Sequence, residues 1–135
     1  MKHLIALCLI LVGIIHLLPL GGVLGGEWLA ALYALEITDP NLDILLRHRA
    51  VLFGLLGGFL IGSAYKPGLR IPAFAAGFIS VLSFLWIAWA TGDYNEAVAR
   101  VVAADIVALL LLTIGLVAWF GEQRRNRCES SNADR

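Results

Sequence analysis

Charge is scarce in this chain, and what there is cancels. Charged residues make up 15% of its 135 positions, ten basic against ten acidic. No global charge is left to attract nucleic acid, and no nucleic-acid partner is expected. Metal chemistry has little to work with. There are two cysteines and three histidines, with no H-x-x-x-H, C-x-x-C or carboxylate–histidine spacing among them. No metal site is expected. His16 and His48 as axial haem ligands would rest on similar depth alone, so no cofactor is expected either. A G-x-S-x-G elbow, a P-loop and a dinucleotide fingerprint are all missing. The pairs Gly21-Gly22 and Gly25-Gly26 make a flexible turn without phosphate-binding order.

Apolar residues fill that space. They form 60% of the chain, and the mean hydropathy is +0.85. A soluble domain of this size is less apolar, so the composition points to a membrane protein. Four runs stand out, at about 4–20, 45–65, 71–90 and 101–120. At about 1.5 Å per residue, a run of twenty spans roughly 30 Å, the thickness of a bilayer core. Only helices let an open chain satisfy its backbone in lipid. The expectation is an all-α, integral membrane four-helix bundle occupying residues 1–121. Lys2 followed by an apolar stretch is also how a signal peptide begins. No A-x-A-like site follows, so the first run is read as a retained helix. The polar tail, 122–135, lacks an apolar face and is expected to be disordered.

Four spans put both termini on one side. Lys2, the Lys66–Arg70 turn, and Arg124, Arg125 and Arg127 would share that side. The opposite side holds Glu27, Glu36, Asp39, Asp43, Asp93 and Glu96 against Arg47, Arg49 and Arg100. The positive-inside bias makes the terminal side cytoplasmic. Cys8 lies near that side and Cys128 in the tail, where a disulfide is not expected.

Two charged segments share a pattern: DPNLDILLR, from Asp39, and DYNEAVAR, from Asp93. Asp39 reads as an N-cap before Pro40, and Asp93 with Glu96 as a capping box. Asp43 with Arg47, and Glu96 with Arg100, are favourable i,i+4 pairs. Helices two and four are therefore expected to begin near 40 and 94. In between, GEWLAALYALEI puts Trp28, Leu29, Leu32 and Leu35 near one face, which suggests a short amphipathic helix on the outer surface. Trp28 and Tyr33 would anchor it at the interface. Trp86, Trp89 and Trp119 sit at helix ends, where belt residues belong.

Helix two carries Gly54, Gly58 and Gly62, four apart, with Gly57 beside them. Ala73 and Gly77 give helix three a matching strip. Small residues let helices approach closely, and contact within the bundle is the expected use. A homodimer face is the competing one.

Depth along the helices sorts the polar residues. His16 is near the outer end of helix one, Arg47, His48 and Arg49 open helix two, and Tyr94 and Arg100 open helix four. Asp105 lies about 7 Å further in than Arg100. All of them occupy the outer half of one small bundle. An intramembrane acid is costly and is a functional candidate by default. Arg49, the deeper of the two helix-two arginines, is the first choice as its partner, with Arg47 as the alternative. A buried ion pair fixing helix register and a ligand or proton-handling site both remain open.

The stretch LRHRAVLFGLLG, with DPNL before it and SFLWIAW and ARVVAADIVAL after it, resembles a family of small bacterial four-helix membrane proteins across nearly the whole chain. The layout is similar to the DoxX-like/DoxD-like set. The resemblance implies the same fold and the bacterial cytoplasmic (inner) membrane as the location. Members of the group often carry the label phosphopantetheine adenylyltransferase. That enzyme is a soluble α/β nucleotidyltransferase with an H-x-G-H-type site, and this chain has neither the motif nor alternating strands.

The leading expectation is a non-enzymatic protein of the lipid bilayer. It would bind a lipid, quinone or other apolar small molecule, or assist a larger membrane complex. Arg47, His48, Arg49, Trp86, Trp89, Tyr94, Arg100 and Asp105 are the candidate ligand-binding residues. One alternative is a small membrane enzyme, an isomerase or redox-associated protein, using Asp105 or His16 for proton transfer. Another is an oligomeric proton-coupled transporter.

Overall fold

The computed structural model describes the backbone of residues 1–24, 31, 33–34 and 38–133, and the same side chains except those of 24 and 130–133. Its described residues form four long helices and no strand. Helix α1 covers Lys2–Leu17 and tightens into a 3-10 segment, Leu18–Leu24, where Pro19 removes a backbone donor. Helix α2 is Pro40–Tyr65, α3 is Arg70–Thr91 and α4 is Glu96–Ala133. A single 3-10 turn, Pro67–Leu69, joins α2 to α3. The stretches Lys2–Val23, Pro40–Tyr65, Pro67–Thr91 and Glu96–Glu129 are each long and apolar enough to cross a membrane. The expected amphipathic surface helix, with Trp28, falls mostly outside the described residues.

Helix α1 packs on α2 and α4, and α3 packs on the same two. The four helices thus make a square with α1 and α3 at opposite corners. Its core is a column of Ile5, Leu9 and Val12 from α1, Leu60 from α2, Phe74 and Val81 from α3, and Ala108 and Leu112 from α4. The outside is as apolar as the inside: Leu55, Ile79 and Val117 are each about two-thirds exposed. In water such a surface would be a large exposed apolar patch. In lipid it is the matching solvent, and the chain is a multi-pass membrane protein.

Asp39 caps α2 as its sequence suggests. Its carboxylate accepts from the Asn41 backbone at 2.8 Å, and Pro40 takes the first turn. The Asp43–Arg47 pair closes at 3.6 Å. At α4 the expectation shifts by two residues. Gly92 and Asp93 both have left-handed backbone, φ 62° and 44°, which is not an N-cap conformation. Asn95 caps instead, its side-chain oxygen accepting from Val98 N at 2.9 Å. Among the described residues no Glu96–Arg100 pair forms within 4.0 Å. At its far end α4 runs on through Ala133, where a disordered tail was expected. An Arg125–Glu129 pair one turn apart, at 3.8 Å, supports that extension.

The close helix crossing is made by Gly13 of α1 and Gly57 of α2. A Cβ on Gly57 would stand 2.7 Å from the Gly13 carbonyl oxygen, and one on Gly13 would stand 2.9 Å from that of Gly57. Gly54 faces the Leu20 side chain, and Gly77 faces Leu112 beside the buried Ala73. Gly58 and Gly62, expected in the same ridge, have nothing within 4 Å of a Cβ and lie on the outer face. Successive helical positions lie 100° apart, so Gly57 points inward and Gly58 does not.

Candidate functional site

The end of the bundle away from the chain termini holds a cavity of about 300 Å³. Its apolar wall includes Ile15, Leu18, Pro19, Phe53, Ala97, Val101 and Ala104. Among the described residues its polar groups are His16, Tyr33, Arg49, Arg100 and Asp105. Four of these five are the residues that helix depth alone brings to one level. They come from α1, α2 and α4, and Tyr33 comes from the α1–α2 connection.

His16 is buried, and its Nδ1 lies 2.9 Å from the Val12 carbonyl, one turn back. A carbonyl only accepts, so Nδ1 carries the proton. In the neutral ring Nε2 then remains an acceptor. The His16 ring meets Phe53 edge-on at 5.8 Å.

Phe53 also serves Arg49. The Arg49 guanidinium carbon sits 4.9 Å from the Phe53 ring centre, 5.5 Å from that of Phe84 and 5.8 Å from that of Tyr33. One ring each from α2, α3 and the α1–α2 connection surrounds the cation, in the range of cation–π attraction. Tyr33 is 6% exposed. Burial pushes its phenol above the usual range, Arg49 pulls it back and Asp105 adds to the rise. The phenol is thus a neutral group at physiological pH. Asn95 holds this segment in place by donating to the Tyr33 carbonyl at 2.9 Å.

Asp105 shares the cavity with Arg49, but among the described residues the two form no ion pair within 4.0 Å. The Asp105–Arg49 partnership is therefore one of shared walls rather than a closed salt bridge. Arg47 does not serve as the alternative partner. It is held by Asp43 and donates to the Val23 carbonyl at 3.1 Å.

The other candidates lie elsewhere. Trp86 and Trp89 pack against each other at 5.2 Å but are 65% and 75% exposed. The face that α3 buries carries Phe74, Gly77, Val81 and Ala88, and the tryptophans stand on the other one. They belong to the lipid-facing surface. His48 and Tyr94 are exposed and do not line the cavity. No group of three or more His, Cys, Asp or Glu among the described residues could hold a metal.

Sequence reading missed Tyr33 as a cavity residue, since its place depends on how a connecting segment folds back. The one available signal was an aromatic residue in the loop above an intramembrane arginine. Comparison with known proteins adds no assignment: no family model, curated protein or solved structure matches the chain.

Proposed function

We propose that this protein binds an apolar small molecule with a polar head, such as a lipid or a quinone, in the cavity at the end of the bundle away from the termini. One observation carries the reading: a mostly apolar cavity of about 300 Å³ gathers Arg49, Arg100, His16 and Asp105 at one place. A few convergent polar groups in an apolar pocket are what a ligand site requires. Intramembrane ionisable residues are kept where they serve such a site. The DoxX-like layout is compatible with this reading and supplies no chemistry of its own.

The cavity lies in the outer leaflet of a bacterial cytoplasmic membrane if both termini are cytoplasmic. Lys2, Lys66, Arg70, Arg124, Arg125 and Arg127 support that orientation. Cys128 is exposed and Cys8 is buried, so a membrane-impermeant maleimide reports the side directly. It should leave intact spheroplasts unlabelled and label Cys128 once they are opened.

Native mass spectrometry of protein released from gentle detergent tests the binding reading. A retained small molecule of defined mass is expected. It should disappear when Ala104→Trp fills the cavity. A bare chain at every detergent strength would overturn the reading and turn the search toward a protein partner.

A second reading rests on His16 and Asp105 sharing that cavity. An acceptor nitrogen and a carboxylate beside one bound molecule could move a proton between two of its atoms. Asp105→Asn separates the two readings. Lost turnover with ligand retained speaks for an enzyme; a change in ligand occupancy or stability alone speaks for a binding protein.

A further inference from the structure

We infer that the cavity selects an amphiphile with a singly charged anionic head, a carboxylate or phosphate oxygen, and that Arg49 is the residue that receives it. The inference rests on the ligand-binding reading above and specifies the ligand's chemistry.

The first observation is what the arginines of this fold do with their donors. Arg47 is committed to Asp43 and the Val23 carbonyl. Arg70 is committed to Glu122 at 3.9 Å and the Ala64 carbonyl at 3.4 Å. Arg49 meets no carboxylate and no carbonyl among the described residues. Its contacts are three aromatic rings. Rings hold a guanidinium through their faces and accept no in-plane hydrogen bond of ordinary strength, so among the described residues its N–H donors meet no acceptor. A guanidinium oriented by its surroundings, on a cavity wall and without an acceptor among the described residues, is suited to receive a two-oxygen anion.

The second observation is the charge of the wall. Arg49 and Arg100 contribute two positive charges and Asp105 one negative. Among the described residues of the wall, with His16 neutral, one positive charge remains when Asp105 is ionised. One anionic charge neutralises it, and a cationic head would leave the cavity more positive still. His16 Nε2 and Asp105 add acceptors, which suit a hydroxyl beside the anion.

The third is the rest of the wall. Ile15, Leu18, Phe53, Val101 and Ala104 give no polar partner, so the remainder of the ligand is hydrocarbon. The same head chemistry occurs on a free fatty acid and on an anionic phospholipid.

The test uses the full chain, stripped of lipid in detergent. It is titrated with hexadecanoate and with hexadecanol, an uncharged head on the same chain, and then with phosphatidylglycerol and phosphatidylcholine. The expected result is binding of an anionic probe about tenfold tighter, or more, than its uncharged or zwitterionic counterpart. Arg49→Gln should abolish that preference, and Arg49→Lys, which keeps the charge, should retain it and report folding. Preference for hexadecanoate assigns a free acid, and preference for phosphatidylglycerol alone assigns a lipid headgroup. If hexadecanol binds as tightly as hexadecanoate and is lost on Ala104→Trp, the cavity reading stands and anion selection is wrong. An anion preference that survives in Arg49→Gln also overturns the role given to Arg49. Binding of no probe at all removes both.

Discussion

The two ends of the bundle use the same materials in opposite ways. Each end has an arginine and an acid drawn from helices around the square. At the terminal end, Arg70 and Glu122 approach to 3.9 Å with both side chains 8% exposed. At the other end, Arg49 and Asp105 stand on the walls of a cavity without closing. A closed, buried pair fixes how two helices sit. A separated pair around a cavity leaves both groups available to something else. The comparison makes the first a structural clamp and the second a candidate site, although the residue types are alike.

The clamp should give the largest effect. Among the described residues Arg70 Nε and Glu122 Oε2 are buried without a hydrogen-bond partner, so charge is what holds the pair. Removing one member leaves the other charge buried. Arg70→Ala is expected to lower stability by about 3–5 kcal/mol, read from thermal unfolding in detergent. Replacing both, as Arg70→Met with Glu122→Leu, should recover most of the loss or exceed the starting stability. If the single variant melts like the parent, water reaches this end and the contrast between the ends disappears.

A second comparison sits within α2. Gly57→Ala puts a methyl group 2.7 Å from the Gly13 carbonyl oxygen, and backbone cannot step aside as a side chain can. A loss of about 1–3 kcal/mol is expected. Gly58→Ala and Gly62→Ala meet open space, and their stability should equal or exceed that of the parent, by up to about 1 kcal/mol from the better helix propensity of alanine. Equal losses at all three would mean that the outer glycines are also covered, as in a dimer. Cross-linking would then be the next measurement.

These comparisons show what the sequence makes legible. Depth along a helix is fixed by a constant rise, so the meeting of His16, Arg49, Arg100 and Asp105 at one level could be read from their positions in the four runs. Rotation about a helix axis was not legible. In a soluble helix the polar face points outward. Here Trp86, Leu60, Gly57 and Gly58 all lie in runs that are apolar on every side, so pattern alone could not tell inward from outward. That is why pattern alone leaves the tryptophans as candidates for both the belt and the site, puts Gly58 in the packing ridge and gives no reason to single out Gly13. Arg70 and Glu122 were hidden for another reason. Each reads as an ordinary charge beside a membrane boundary, and their pairing depends on how far α4 runs past the turn between α2 and α3.

At the cavity end the expected effect on stability is smaller. Arg49 is attracted by three rings, at about 0.5–1 kcal/mol for each exposed contact, but among the described residues it closes no salt bridge that its loss would break. Arg49→Met, which keeps apolar volume, should therefore cost about 1–2 kcal/mol, clearly less than Arg70→Ala in the same melt. A cost equal to that of Arg70→Ala would mean that Arg49 and Asp105 are joined after all, and the two ends would then be two clamps.

The smallest effect belongs to the extension of α4. Arg125 and Glu129 are 59% and 71% exposed at a separation of 3.8 Å, and an exposed i,i+4 pair contributes about 0.3–0.5 kcal/mol. Arg125→Ala should leave the melting temperature of the bundle unchanged and lower only the helicity of the tail, visible as a slight loss of far-ultraviolet ellipticity. It also sharpens the main contrast. Arg70, Arg49 and Arg125 form a graded series in which the charge is the same and the surroundings differ. The loss of stability should shrink in that order, because Arg70 leaves a buried charge behind, Arg49 gives up only ring contacts and Arg125 gives up only an exposed pair.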